Sequence, residues 1–315
     1  MNDDSNTRRD GDYLVRAVAR DGWVRAFAVR ATDTVGELAR IHGTTPPATA
    51  ALGRTAVGAL LLAAASLKEP RHSLTVEVHG SGPLRRILVV ATGAGEVRGL
   101  VAQPQADAPS VDGKLNVAGV VGRHGTLSVT KDLGLREPYR GTVELQTGEI
   151  GDDFAYYLWR SEQTPAAVGV GVFVQPDGRV GAAGGYLVQL LPGLSEGEVA
   201  SLEAAIRALP HPTTMLREGE TPERILERIF PEGYELLDRY PVRHRCTCSR
   251  ARFEEAIVSL GPKEIEAIRA AGPAGEPVEV VCRFCHRRYT FSPEEMAAIL
   301  EASTARFAGE GAAEG

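Results

Sequence analysis

At 315 residues the chain is longer than one hydrophobic core usually organises, so two domains are expected. Hydrophobic residues make up 43% and charged residues 24%, a globular balance that excludes a disordered chain. A net charge of −6 and a pI near 5.7 argue against general affinity for nucleic acid or anionic membrane.

The N-terminal MNDDSNTRRDGD is polar and lacks the apolar stretch of an export signal. Residues 13–19 (YLVRAVA) and 23–29 (WVRAFAV) flank Asp21-Gly22, a dipeptide suited to the positive φ of a tight hairpin turn. Thr32 or Asp33 is placed to cap a short helix ending at Gly43. Residues 48–67 are the most apolar long stretch, but the uninterrupted run after Arg54 is only thirteen residues. A bilayer span needs about 20, so a buried helix is expected and no membrane segment. With neither signal nor span read in the sequence, a cytoplasmic location is expected. In that reducing compartment a cysteine cluster points to metal binding or redox sensing before a structural disulfide framework.

Strand-like runs follow at 74–79, 84–91, 97–102, 126–130 and 141–146. Residues 150–163 look helical, with Asp152 and Asp153 favourable in the first turn and Phe154, Tyr157 and Leu158 on one face. Asp177-Gly178 centres a second hairpin over 168–190. Residues 1–190 are thus expected to form one α+β core domain, a mixed sheet with helices.

From 191 to 242 the pattern becomes that of a helical linker. Ser195 and Glu198 have capping-box spacing ahead of Val199, Leu202, Ile206 and Leu209. Thr221-Pro222 opens a second helix with Ile225, Leu226, Ile229 and Phe230 on one side. These apolar stripes must cover something. A small module then spans 243–307, near the size at which a metal commonly supplies missing stability. Its last helix starts at Ser292-Pro293, with Glu295 in capping position, and runs through Leu300; the tail after Phe307 is expected to fray.

The four cysteines of the chain all lie in this module: Cys246-Thr-Cys248, thirty-three intervening residues, then Cys282-Arg-Phe-Cys285. Thiolates are soft, charged ligands, and four of them make a closed tetrahedral zinc site with no open position for substrate. One zinc ion per chain is expected. Arg243, Arg245, Arg250, Arg283, Arg287 and Arg288 flank the pairs and are expected to offset the thiolate charge. His244 and His286 are alternative ligands, but four sulfurs already fill the tetrahedron. A structural zinc ribbon is one reading of the spacing. However, the first pair is Cys-x-Cys rather than the usual Cys-x-x-Cys, and both pairs bring sulfurs close enough to oxidise, which destroys the ligands.

Elsewhere the residues offer no catalytic or nucleotide site. GSGP (80–83) and GAGE (93–96) lack the Lys-Ser/Thr ending of a phosphate loop and read as turns. The histidines have no triad or H-x-x-x-H context, and the aromatics Phe154, Tyr156, Tyr157 and Trp159 read as core. Residues 243–301 hold nine Lys/Arg against nine Asp/Glu, so nucleic acid is not an expected partner.

The cysteine arrangement resembles that of the redox-regulated heat shock protein of thirty-three kilodaltons, the chaperonin-thirty-three family. GEIGDDFAYYLWRSEQTPAAVGVGVFV (148–174), LPGLSEGEVASLEAAI (191–206) and RIFPEGYELLDRYPVRHRCTCSR (228–250) are similar to that family too. The resemblance implies an ATP-independent holdase rather than an enzyme, inactive when reduced and zinc-bound. It further implies that oxidation pairs Cys282 with Cys285 and Cys246 with Cys248, releases zinc and unfolds the module and linker. The active form then dimerises and holds unfolded client proteins.

Overall fold

The structure, a computed structural model, describes residues 11–271 and 275–311. The polar N-terminal segment, apart from Gly11 and Asp12, and the end of the tail, 312–315, lie outside the described residues. The chain divides into two compact units, one ending at Arg245 and one beginning at Cys246.

The first unit opens with the expected hairpin, β1 (Tyr13–Ala19) and β2 (Val24–Arg30). Positive φ extends over Arg20, Asp21 and Gly22, one residue more than a two-residue turn requires. The helix α1 (Thr32–His42) ends at Gly43, which is left-handed with φ of 58°. Its start differs from expectation: the N-cap is Ala31, and neither Thr32 nor Asp33 caps it. The Thr34 amide is met instead by Asp12 Oδ2 at 2.6 Å, while the Thr32 hydroxyl accepts from the Ala183 amide. A carboxylate from the start of β1 thus does the work of a local cap.

The next helix, α2 (Pro46–Ser66), is capped by Thr45 and buried on nearly every side. At 21 residues it is long and apolar enough to cross a membrane by length and composition, so length does not decide its role; burial does, with 89% of its apolar window inside the protein. It is the core helix. The strands β3 (Ser73–Gly80), β4 (Arg86–Thr92) and β5 (Glu96–Val101), the short α3 (Val117–Val121), and β6 (Gly125–Asp132) and β7 (Tyr139–Glu144) come next. The helix α4 (Gly151–Arg160) follows, then β8 (Ala166–Val174) and β9 (Val180–Leu190). In α4, Phe154 and Tyr157 are core as read, but Trp159 is 59% exposed. Asp153 is more than a partner of the helix dipole. It is fully buried and accepts hydrogen bonds from the amides of Gln146, Thr147 and Ile150, which fixes the loop leading into α4.

Residues 191–242 were expected to be helical and contain α5 (Glu196–Arg207), α6 (Pro212–Arg217), α7 (Pro222–Ile229) and then a strand, β10 (Glu235–Pro241). The capping box of Ser195 and Glu198 and the Thr221 cap form as read. A two-residue strand, β11 (Arg243–His244), completes the unit. One sheet has the order β10-β1-β2-β9-β8 and the other β11-β5-β4-β3-β6-β7. The core helix α2 packs against both, and one continuous apolar core joins all three. The opposite face of the first sheet carries Val15, Ala17, Val24, Ala26 and Val188, and is covered by Leu202, Met215, Ile225, Leu226, Ile229 and Phe230 of α5 to α7 and the residue after them. The amphipathic stripes therefore have their partner.

The second unit contains α8 (Arg250–Val258), α9 (Pro262–Ala271), the hairpin β12 (Val278–Val281) and β13 (Arg288–Phe291), and α10 (Pro293–Gly311). Ser292 and Glu295 form the expected reciprocal cap, and the helix continues past Leu300 and Phe307.

Candidate metal centre

Two pieces of backbone present the cysteines. Cys246 and Cys248 lie in the extended chain just before α8, whose N-cap is Ser249, accepting from the Arg252 amide. Cys282 and Cys285 occupy the turn between β12 and β13. There the Cys282 amide donates to the Arg287 carbonyl at 2.9 Å and the His286 amide to the Cys282 carbonyl at 2.8 Å. His286 takes φ of 57°, which lets so few residues reverse the chain.

The result is a cluster in which all four sulfurs lie within 4.8 Å of one another. Cys246 Sγ is 3.7 Å from Cys282 Sγ, and Cys248 Sγ is 3.4 Å from Cys285 Sγ, so each pair reaches across to the other. A tetrahedron with metal–sulfur bonds of about 2.3 Å has edges of about 3.8 Å, close to these separations. Cys282 is buried and the other three are half-buried. Four close cysteines of this kind can hold a metal ion. Among the described residues this cluster contains neither His244 nor His286; His244 sits in β11 and His286 shapes the turn.

Charge in the cluster is unevenly held. Burial works to raise the Cys248 pKa, but the Tyr289 hydroxyl, which donates to Cys248 Sγ at 3.2 Å, and the neighbouring thiols outweigh it and bring it to about 7. Burial pushes the Cys246 and Cys285 thiols up; the neighbouring sulfurs add to the rise at Cys246, and Cys248 and Cys282 add to it at Cys285. A cluster of this density ionises fully only when a cation balances it.

The flanking arginines are mostly occupied elsewhere, contrary to expectation. Arg243 and Arg245 converge on Glu96 at 2.7 and 2.6 Å. Arg250 pairs with Glu295 and Arg288 with Glu279. Arg287 is the one tied to the cluster, through Tyr289 and the charge of Cys248 and Cys285. Tyr289, whose ring packs 5.0 Å from that of Phe253, was not singled out by sequence; its place four residues after Cys285 was the only signal.

The comparisons with known proteins agree along the chain. The Hsp33 protein family model matches residues 12–292. The 33 kDa chaperonin of Bacillus subtilis (strain 168) is 46% identical over 295 residues, 93% of this chain and 99% of that protein. That of Shouchella clausii (strain KSM-K16) is 47% identical over 294 residues, 92% of this chain and 97% of the relative. The crystal structure of the 33 kDa chaperonin from Thermotoga maritima superposes with a TM-score of 0.84 at 36% identity, covering 94% of this chain and 100% of that one. With a family model matched over most of its length and relatives this similar, the chain belongs to the Hsp33 family of chaperones.

Proposed function

We propose that this chaperone is a redox-regulated, ATP-independent holdase whose switch is the four-cysteine cluster. Residues 1–190 act as the core that binds clients, 191–242 as the linker, and 243–307 as the switch. Cys246, Cys248, Cys282 and Cys285 hold one zinc ion in the reduced state; the donor set suits zinc, being four soft thiols at tetrahedral spacing. When bound, the metal closes the module, at an apparent stabilisation of roughly 10–16 kcal/mol in small zinc modules. The observation that carries the reading is the disparity between this tie and the apolar core around it, which consists of Ile257, Ile265, Phe291, Met296 and Ile299. A core of that size needs a staple.

Oxidation removes the staple by consuming the ligands. Two equivalents of a two-electron oxidant such as peroxide take four electrons from the four thiolates, form two disulfides and leave as water. The pairing matters. Disulfides across the pairs, Cys246 with Cys282 and Cys248 with Cys285, cross-link the module's two halves and hold it closed. Disulfides within the pairs, Cys246 with Cys248 and Cys282 with Cys285, leave the halves free to separate. Opening requires the second pattern, the one implied by the resemblance. The linker follows because it leads directly into the module, and α5 to α7 then leave the apolar sheet face they cover. A patch of this kind holds unfolded proteins and joins two copies into the active dimer. A cytoplasmic setting, reducing until stressed, suits such a switch.

The experiment follows zinc release and aggregation of an unfolding client together, before and after peroxide. The reduced, zinc-loaded protein should barely suppress aggregation and the oxidised, zinc-free protein should suppress it strongly, with disulfides mapped within the pairs. Equal activity in both states leaves only a structural metal.

A further inference from the structure

We propose that the edge of β1, once β10 has left it, docks extended apolar segments of unfolded polypeptide as an added antiparallel strand. The inference rests on the linker opening argued above and names where on the opened protein a client binds.

The two strands are unequal partners. In β1, Leu14 and Val15 are fully buried and Tyr13, Ala17 and Ala19 nearly so. In β10, Tyr240 alone is half-buried and the other six residues are exposed. Leu236 and Leu237 are 46% and 52% exposed, although successive side chains point to opposite faces. This strand therefore buries little of its own apolar surface on either side. Its pairing is also interrupted: Arg16 lies opposite Asp238 and Ala17 opposite Leu236, so Leu237 bulges out of the ladder. Arg239 lies 4.0 Å from the Tyr13 ring and 3.8 Å from Glu223 of α7, and Tyr240 packs against the main core. What β10 chiefly supplies is backbone.

That backbone occupies a site any extended chain can use. The Asp12 carbonyl accepts from the Val242 amide at 2.9 Å, and strand alternation then points the amides of Leu14, Arg16 and Val18 at β10. Removing β10 leaves them facing outward along an apolar strand, the template for β-augmentation. The same event acts on the adjoining face. The helix α7 packs on β1 and β2 and is followed directly by β10. Loss of this one continuous segment uncovers the edge and the Val15–Ala17 face together. An incoming strand with apolar residues at alternate positions then gains ladder hydrogen bonds and apolar burial in one act, and an acidic residue opposite Arg16 takes the place of Asp238. Because ladder bonds are made by backbone, the site is indifferent to most of a client's sequence. It also rejects folded proteins, whose strands are already paired. In the closed protein β10 is the client's stand-in.

The test is amide hydrogen exchange on the full-length protein in three states: reduced with zinc, oxidised, and oxidised with carboxymethylated α-lactalbumin, a permanently unfolded chain. Exchange at Leu14, Arg16 and Val18 should rise by about tenfold or more on oxidation and fall again when the client is added. Client aggregation is measured in parallel. Suppression with these amides still protected before client, or still open after it, overturns the docking site and leaves the holdase reading intact. Absence of suppression removes that reading instead. Protection that returns with protein concentration and no client assigns the edge to a second copy and overturns the proposal. A variant gives the converse: Asp238→Pro, which removes a β10 donor and leaves β1 unaltered, should open the three amides and raise client binding severalfold without oxidant. Opened amides with no gain in client binding also count against the site.

Discussion

The two units are stabilised by different means, and the difference explains why only one of them suits a switch. In the unit ending at Arg245, α2 is enclosed by two sheets and a single apolar core runs through all of them. The unit beginning at Cys246 holds α8 to α10 and one hairpin around five buried apolar side chains. Apolar burial contributes by area and cannot be withdrawn by chemistry at one point. A four-sulfur cluster is a point contribution, which on the function proposed above oxidation of its ligands withdraws. Stability spread through a core gives a dependable surface; stability concentrated at a cluster gives control.

The largest expected effect comes from removing that concentration. Cys282→Ser takes out the most buried sulfur, and the second unit should lose its fold while the first keeps its own. Hydrogen exchange at Arg288–Phe291 should become fast, and exchange in α2 should stay unchanged. Persisting protection in β13 with the metal absent would mean that the small core suffices, and the contrast between the units would fall. A matched pair of core truncations sharpens the point. Phe154 of α4 and Phe291 of β13 are both 1% exposed, so Phe→Ala at each should cost about 3–5 kcal/mol locally. The first unit should absorb the loss as a lower urea midpoint. In the second, whose fold rests on the metal, the loss should appear as weaker zinc retention, with the ion given up to less chelator than the unaltered protein needs. Circular dichroism and zinc content distinguish the outcomes.

How much of this was legible in sequence depended on how local each signal was. The β1–β2 strand pair, the Ser195–Glu198 box and the Thr221 cap are written within a few residues, and each is present in the structure; the two cysteine pairs are equally local, and the fold brings their four sulfurs together. The α1 cap was missed because its acceptor, Asp12, lies twenty-two residues from Thr34. The strand β10 was missed for a related reason. ELLDRYP has no alternation because the strand is exposed on both faces, and its partner β1 is more than two hundred residues away. The arginines around the cysteines were misread because charge alone does not name a partner. Glu96, which takes two of them, is far off in sequence, and Glu295 and Glu279 lie on different elements.

Glu96 marks the border between the two modes of stability, and it carries the smallest expected effect. Its carboxylate accepts from both Arg243 and Arg245 at the point where the chain leaves the first unit, while their amides donate to the Gly95 and Val97 carbonyls. Burial works to raise its pKa, but the two guanidinium hydrogen bonds outweigh that and hold it below the ordinary value. The folded state therefore releases this proton more readily than the unfolded chain does. The stabilisation is full above the unfolded glutamate value of about 4.3 and is lost as pH falls through the folded one. Both arginines are more than half exposed, so solvent discounts the gain, and Glu96→Gln should cost only about 1 kcal/mol at pH 7. The difference from the unaltered protein should shrink to nothing in acid below the folded value. Both tryptophans of the chain, Trp23 and Trp159, lie in the first unit, so their fluorescence in urea reports it without interference from the second unit. A cost that persists unchanged in acid would mean that the carboxylate acts by packing rather than charge. A measurable cost at pH 7 that disappears with protonation places an electrostatic clasp at the end of the apolar unit, immediately before the chain passes to the cysteines.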